Sequence, residues 1–511
     1  MLKYYFTNSK YFPHLLATII FIGHVIALVS FGATFWVDSI LYLDMAHYMS
    51  NGIGLTGFYS PIKMCIASHF PPFPALLWAW LYPIFSSHTW LIFAILQRLL
   101  AGVALFYLIM AIQKYLNRVI LLIATVILLL YPYYESFHNM VMTESIASST
   151  LMMMMGSTLY LVSGKKNYKL HLFSFTVASF LGIQTRPQMI LFALSLLAIQ
   201  VFTLRKNFLK YILPLVVIIL GYFVFPFGRF FLTGQFFLPN IQCLGVRSAL
   251  MSHIGQEDET AIILSKYDRP PEIDPIKAST EGLSYEQSLA WKIYLNNKGL
   301  NHKQVNRMLG KIAREIRFSN IKGILSEVDS ALSGVGLLNI SIFHIADDIL
   351  SEGKTKAYWT KHYTVHYKWL SWTSEADHRE IFDDFLGRFK VSGLYDPEVI
   401  KMMNETISPY ISKSRQGRDL LGLSSIPTDF WFIGWLFGTI YIYLYKSKIL
   451  AAILTVPTVV NYFVVLFVGF GNIRYFYVAA PFEVIVTLIV LFYAIAWFRK
   501  KLMRLDETGD Q

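Results

Sequence analysis

Apolar residues run along this chain in unbroken stretches of roughly 20, separated by short polar turns. A run of about 20 apolar residues crosses a hydrocarbon core of about 30 Å as a helix. Continuous runs mean helices, because the strands of a membrane barrel would alternate apolar and polar positions. The pattern predicts about ten transmembrane helices, over 13–36, 89–112, 118–133, 141–162, 170–184, 187–204, 209–232, 429–446, 449–470 and 474–497. The stretch 71–86, PPFPALLWAWLYPIF and the following serine, is apolar but short and interrupted by proline. It predicts an interfacial or re-entrant helix. Segment 233–428 departs from the pattern, with a sharp rise in charge. From Ser284 to Phe318 it reads helical: Ala290, Ile293, Tyr294 and Leu300 share an apolar stripe, and Arg307, Lys311, Arg314 and Arg317 a basic one. Pro270, Pro271 and Pro275 mark an irregular entry loop. No strand alternation and no internal repeat is visible. The expected fold is therefore an all-α polytopic membrane protein with interfacial helices in its first outer loop and a mainly helical extracytoplasmic domain. Its parts are a transmembrane module over 1–232 with its first outer loop at 37–88, a soluble domain over 233–428, and C-terminal spans with a tail over 429–511.

Composition agrees: 55% of residues are hydrophobic and 15% charged, with a mean hydropathy of +0.48. The net charge of +12 does not point to nucleic acid, because Lys and Arg are spread over short loops. One alternate set of loops holds Lys3, Lys10, Lys114, Arg118, Lys165, Lys166, Lys169, Arg205, Lys206, Lys210, Lys446, Lys448 and Arg499–Arg504. The short loops of the other set hold little beyond Arg186 and Arg474. The positive-inside rule puts both termini in the cytoplasm and 37–88, 131–139, 184–187, 233–428 and 471–474 outside. The first apolar run is too long for the core of a signal peptide and reads as a retained helix. Cys65 and Cys243 both fall outside and could pair, although no disulfide framework supports it.

The outer boundary then collects Asp38, Asp44, His69, Glu135, His138, Glu144, Arg186 and Arg474, whereas the cytoplasmic boundary carries only basic residues. Carboxylates beside a bilayer are costly and usually functional. The stretch Trp36–Leu77, directly after the first span, is the centre of this asymmetry, and Asp38 is read as a catalytic base. On a helix over 38–51, Asp38, Tyr42 and Met45 share one face. Asp44 lies about 600° of rotation further on, so some 120° away, and the two acids make no close dyad. Arg98, Glu144 and Glu483 fall inside spans, where a structural Arg98–Glu483 or Arg98–Glu144 pair is expected. His362 and His366 have metal-ligand spacing without a third ligand and read as surface histidines. The Met152–Met155 run reads as lipid-facing filler. The sequons at Asn339 and Asn404 are at the frequency expected by chance.

The order of these motifs resembles the glycosyltransferase C (GT-C) superfamily. Asp38-x3-Tyr42-x3-Ala46, then Gly52 and Gly57, then His69-x-Pro71-Pro72-x-Pro74-x-Leu76 is similar to that family's first outer loop. Arg98-Leu99 resembles the Arg-Leu of the second helix, Thr143-Glu144 the Thr-Glu opening the fourth, Thr185-Arg186-Pro187 the Thr-Arg-Pro turn, and Arg474-Tyr475 the Arg-Tyr of a late helix. The family usually carries a second acidic residue after the first Asp; here Ser39 follows. Segment 233–428 matches no motif of the family.

The resemblance implies sugar transfer from a polyprenyl-phosphate-linked donor to an acceptor hydroxyl of a glycan, glycolipid or protein outside the cytoplasm. The expected setting is a bacterial inner membrane with a periplasmic site, and the expected product an envelope glycan, O-antigen or other lipopolysaccharide component. Asp38 would take the hydroxyl proton, with Asp44 as the second carboxylate. Arg186 and Arg474 would receive the lipid phosphate, with Lys63 and His69 helping and Tyr42, Glu144 and Arg98 in support. A single displacement inverts the anomeric centre. No cofactor is required, although Asp38 and Glu144 could hold a divalent cation. Two alternatives share the lipid-linked donor. A glycan ligase or polymerase tends to rely on Arg and His. A lipid-sugar flippase or transporter tends to carry inverted repeats and a midplane site.

Overall fold

A computed structural model describes residues 10–33, 37–51, 72–164, 167–204, 209–233, 257–283, 285–319, 396–411, 428–468 and 473–509, with a few isolated positions between them. Every segment expected to cross the membrane forms a helix. In chain order these are α1 (Phe12–Phe31), α4 (Thr89–Ile112), α5 (Arg118–Leu129), α7 (Glu144–Val162), α8 (Tyr168–Thr185), α9 (Met189–Leu204), α10 (Ile212–Thr233), α16 (Thr428–Tyr445), α17 (Lys448–Val468) and α18 (Ile473–Gly509). Between α1 and α4 come α2 (Val37–Ser50), α3 (Phe73–Phe85) and a 3-10 turn, Ser86–His88; between α5 and α7 lies the short α6 (Pro132–Phe137). Among the described residues five windows are long and apolar enough to cross a membrane: Phe12–Val29, Phe73–Ile112, Glu144–Val162, Leu209–Gly228 and Pro481–Phe498. Arg118–Leu129, Met189–Leu204, Phe430–Tyr445 and Lys448–Val464 are shorter apolar helices. The chain is an integral membrane protein whose described elements are all helices.

Local chemistry sets several boundaries. Asn117 starts α5 by accepting a hydrogen bond from the Val119 amide at 2.8 Å. The helix α8 stops at Thr185 because Arg186 precedes Pro187, which disfavours helical backbone; Arg186 is extended, with φ −148° and ψ 116°. Gly438 lets α16 lie directly on α18, where a Cβ would sit 2.7 Å from the Val486 carbonyl oxygen. At one end of the bundle cations cover aromatic rings: Arg118 over Phe12 at 5.7 Å, Lys210 over Tyr168 at 5.2 Å, Lys446 over Tyr493 at 4.5 Å and Lys448 over Tyr443 at 5.4 Å. We call this the basic end.

Two expectations are corrected here. The methionine run does not face lipid. Met152, Met154 and Met155 are fully buried, because α7 is the central helix, touched by α4, α8, α9, α17 and α18. Nor does α2 lie on an interface with one face free. Ile40 to Ala46 are buried without a break. Its cover comes from far along the chain: α15 (Pro397–Thr406) and a following 3-10 turn, Ser408–Tyr410, share one apolar core with α2, α3 and the start of α4.

Residues 257–319 form a separate apolar core from α11 (Glu257–Ser265), α12 (Pro275–Glu281), α13 (Tyr285–Asn297) and α14 (His302–Ser319). On α14, Arg307, Lys311 and Arg314 of the basic stripe stay exposed and Arg317 is half-buried. Ala290, Ile293, Tyr294 and Leu300 of the expected apolar stripe are only half-buried; Trp291, Leu295, Val305, Leu309, Ile312 and Ile316 fill the core instead. Lys292 on α13 is the unusual member. Lys292 is 1% exposed, its Nζ has no hydrogen-bond partner among the described residues, and burial lowers its pKa to about 7. An amine depressed on folding binds fewer protons folded than unfolded, so stability rises with pH between about 7 and 10.5. Lys292→Met is expected to abolish that slope and to stabilise this unit by about 2–4 kcal/mol at neutral pH. Hydrogen exchange of the 285–297 peptide at pH 7 and pH 9 reads the change; equal pH slopes in both proteins would contradict it.

Candidate active site

The site is assembled at the end of the bundle opposite the basic one. Its frame is a pair of buried Arg–Glu contacts. Arg98 on α4 donates from Nη1 to Glu135 Oε2 at 2.5 Å, from Nη2 to the Glu135 carbonyl at 3.0 Å, and from Nε to Asn139 Oδ1 at 2.7 Å. His24 of α1 completes the cluster, its Nδ1 lying 3.3 Å from Arg98 Nη1 and 3.6 Å from Glu135 Oε2. Burial alone would raise the Glu135 pKa, but His24 and Arg98 outweigh it and hold the carboxyl at about 2. His138 is kept neutral by burial, against the pull of Glu135, and its Nδ1 shares a 2.7 Å hydrogen bond with Ser145.

The partner of Arg98 is therefore Glu135, and neither Glu483 nor Glu144 as expected. Glu483 accepts from Tyr462 at 3.4 Å on the α17 side. Glu144 belongs to the second pair: Arg186 Nη2 donates to its Oε1 at 2.5 Å, and Arg186 Nε to Thr143 Oγ1 at 3.0 Å. Glu144 opens α7, where a carboxylate is favoured by the helix dipole. The extended Arg186 backbone at the end of α8 aims the guanidinium across to it. The Thr-Glu and Thr-Arg-Pro motifs thus meet as one ion pair.

Asp38, Tyr42 and Asp44 lie on α2. Tyr42 and Asp44 are buried; the side chain of Asp38 lies outside the described residues. So do those of Lys63, His69 and Arg474, the last of which sits in the first turn of α18. Cys65, Cys243, Asn339, His362 and His366 also fall outside. Asn404 is exposed on α15.

The Gly32–Ala33 turn that ends α1 is held from two directions. Asn139 Nδ2 donates to the Gly32 carbonyl at 2.8 Å, and the Ala33 amide donates to the Tyr410 carbonyl at 2.7 Å. Sequence reasoning passed over His24, Asn139 and Tyr410. For His24 a signal existed, since an ionisable residue inside a predicted span asks for a partner. Asn139 and Tyr410 carry none, being ordinary loop residues until the fold brings them together.

Among solved structures the chain matches the Archaeoglobus fulgidus oligosaccharyltransferase in its apo form, at 10% identity over 97% of this chain and 52% of that one, with a TM-score of 0.38. It matches the same archaeon's oligosaccharyltransferase AglB in complex with an inhibitory peptide and a dolichol-phosphate, at 13% identity, the same coverage and the same TM-score of 0.38. ArnT from Cupriavidus metallidurans, bound to undecaprenyl phosphate, matches at 10% identity over 84% of this chain and 80% of that one, with a TM-score of 0.33. The chain spans about half the length of the archaeal structures. No family model matches it, and no curated protein sequence matches it significantly. Arg98, Thr143, Glu144 and Arg186 all stand at the end where α2 is docked.

Proposed function

We propose that this protein is a GT-C membrane glycosyltransferase. It moves a sugar from a polyprenyl-phosphate-linked donor to an acceptor hydroxyl of an envelope glycan or glycolipid, on the outer face of a bacterial inner membrane. The observation that carries this reading is the convergence of separate motifs on one end of an apolar bundle: Arg98, the Glu144–Arg186 pair and the Asp-bearing helix α2 share a buried polar layer. A lipid-linked substrate needs this division, with apolar grooves for the prenyl chain and charge at headgroup depth.

In this reading Asp38 takes the proton from the acceptor hydroxyl as its oxygen attacks the anomeric carbon. The bond to the lipid phosphate breaks on the opposite face, inverting that carbon. Arg474 and Arg186 receive the charge that develops on the departing phosphate, with Lys63 and His69 as helpers. The match of Arg186 to Glu144 keeps the guanidinium placed before donor arrives. The same match argues against Glu144 as a metal ligand, because a cation already neutralises it. Transfer is therefore expected to proceed in excess chelator.

The test is reconstitution of the full chain in liposomes with undecaprenyl-phosphate-linked pentose and hexose donors, reading labelled sugar transferred to extracted envelope glycan. Inverted product with stoichiometric release of prenyl phosphate supports the proposal. Movement of intact lipid-linked sugar between leaflets without transfer would replace it with a flippase, and transfer of whole preassembled chains with a ligase.

A further inference from the structure

We propose that Asn139 and Tyr410 are positioning residues for the transfer step: together they clasp the Gly32–Ala33 turn and so fix the helix that carries Asp38 and Asp44. This rests on the reading of Asp38 as the base. The turn does not hold itself. Gly32 has φ 57° and ψ −157°, a backbone region accessible at low cost only to glycine. It is pinned by two side-by-side bonds from remote elements, Asn139 Nδ2 to the Gly32 carbonyl at 2.8 Å and the Ala33 amide to the Tyr410 carbonyl at 2.7 Å.

Each half of the clasp is itself fixed. The amide of Asn139 can point only one way. Arg98 Nε donates to its Oδ1 at 2.7 Å, which leaves Nδ2 to face Gly32. Tyr410 shares a 2.6 Å hydrogen bond with His88 Nδ1 through its hydroxyl. Trp90 closes the circuit, donating from Nε1 to the Asn139 carbonyl at 2.9 Å and laying its ring 4.9 Å from that of Tyr410. The clasp therefore ties the acid-bearing helix to the buried Arg98–Glu135 cluster on one side and to the 396–411 segment on the other. Catalysis by a placed base needs the reacting atoms held within fractions of an ångström; the apolar core grips α2 along Ile40–Ala46, and the clasp adds a hold on the turn before Asp38.

Asn139→Asp is the discriminating change. It keeps the size and the oxygen facing Arg98, and sets an acceptor against the Gly32 carbonyl. Tyr410→Ala keeps the carbonyl that accepts from Ala33 but removes the hydroxyl and ring that seat it against His88 and Trp90, and so loosens the other half. In the reconstituted full chain each is expected to lower kcat by about tenfold or more while donor KM stays within about twofold. In an Asp38→Asn background the same changes are expected to cost less than about twofold, since nothing remains to be positioned. Equal losses in both backgrounds, or a loss confined to KM, would overturn the proposal.

A second measurement does not depend on activity. Nitroxides at Asn51→Cys, directly after α2, and Val103→Cys on α4, with Cys65→Ser and Cys243→Ser, report the distance between the two helices. Asn139→Asp is expected to broaden that distance distribution, and an unchanged distribution refutes the clasp. Full turnover by Asp38→Asn would instead remove the base assignment and leave the distance measurement to decide whether the turn is held.

Discussion

Asp38→Asn is expected to lower sugar transfer by about 10²–10⁴-fold, the range contributed by a placed general base, with binding of the prenyl-phosphate donor unchanged. Asparagine fills the same space and cannot accept the hydroxyl proton. Asp44→Asn is expected to behave differently. Asp44 is 1% exposed and lies about 120° around the helix from Asp38, so its loss should fall on stability and expression first. Single-turnover transfer in liposomes and equilibrium binding of labelled donor separate the two quantities. Equal activity of Asp38→Asn and the unaltered protein would end the proposed mechanism.

The second large effect concerns Arg98. Arg98→Leu leaves Glu135 buried with much of its compensation gone, and is expected to cost about 3–5 kcal/mol of stability. It also frees the Asn139 amide that Arg98 orients. Replacing both partners, Arg98→Leu with Glu135→Leu, is expected to recover most of the loss, because the stranded charge is then removed as well. Thermal unfolding in detergent measures both variants; a double variant no more stable than the single one would refute a charge-burial origin. The pH dependence has a definite sign. The Glu135 carboxyl is lowered on folding from 4.5 to about 2, so its contribution is complete above about 4.5 and is lost as pH falls toward 2. The unaltered protein should therefore lose stability in that acid window, and the double variant should lack this component.

Much of the architecture is legible in the sequence, for a simple reason. A bilayer demands a fixed length of apolar chain and internally satisfied backbone, so helix positions follow from run length alone. The ends of α8 and α5 are equally local, set by Pro187 and Asn117. Pairing is not local. Arg98 could be seen to need a carboxylate, but which one depends on how α6 and the turn after it seat on α4. That seating is set by bonds from Trp90 and Gln97 to the carbonyls of Asn139 and Met140. Periodicity carries no trace of them. The burial of α2 was hidden for the same reason. Its cover, Val399 to Ile411, lies in a segment whose composition reads as ordinary soluble helix. The Met152–Met155 run misled because apolar side chains suit lipid and protein interior alike, and only the central place of α7 decides between them.

The bond from Ala33 to Tyr410 also orders events in time. A ribosome releases the first span and the acid-bearing helix long before it makes their cover, so during synthesis that helix waits with its carboxylates and apolar side chains unroofed. The cover of α2 is consequently made only after α1, α4, α5 and α7 to α10, with α16 to α18 still to come, and a nascent chain halted short of residue 396 carries α2 unroofed.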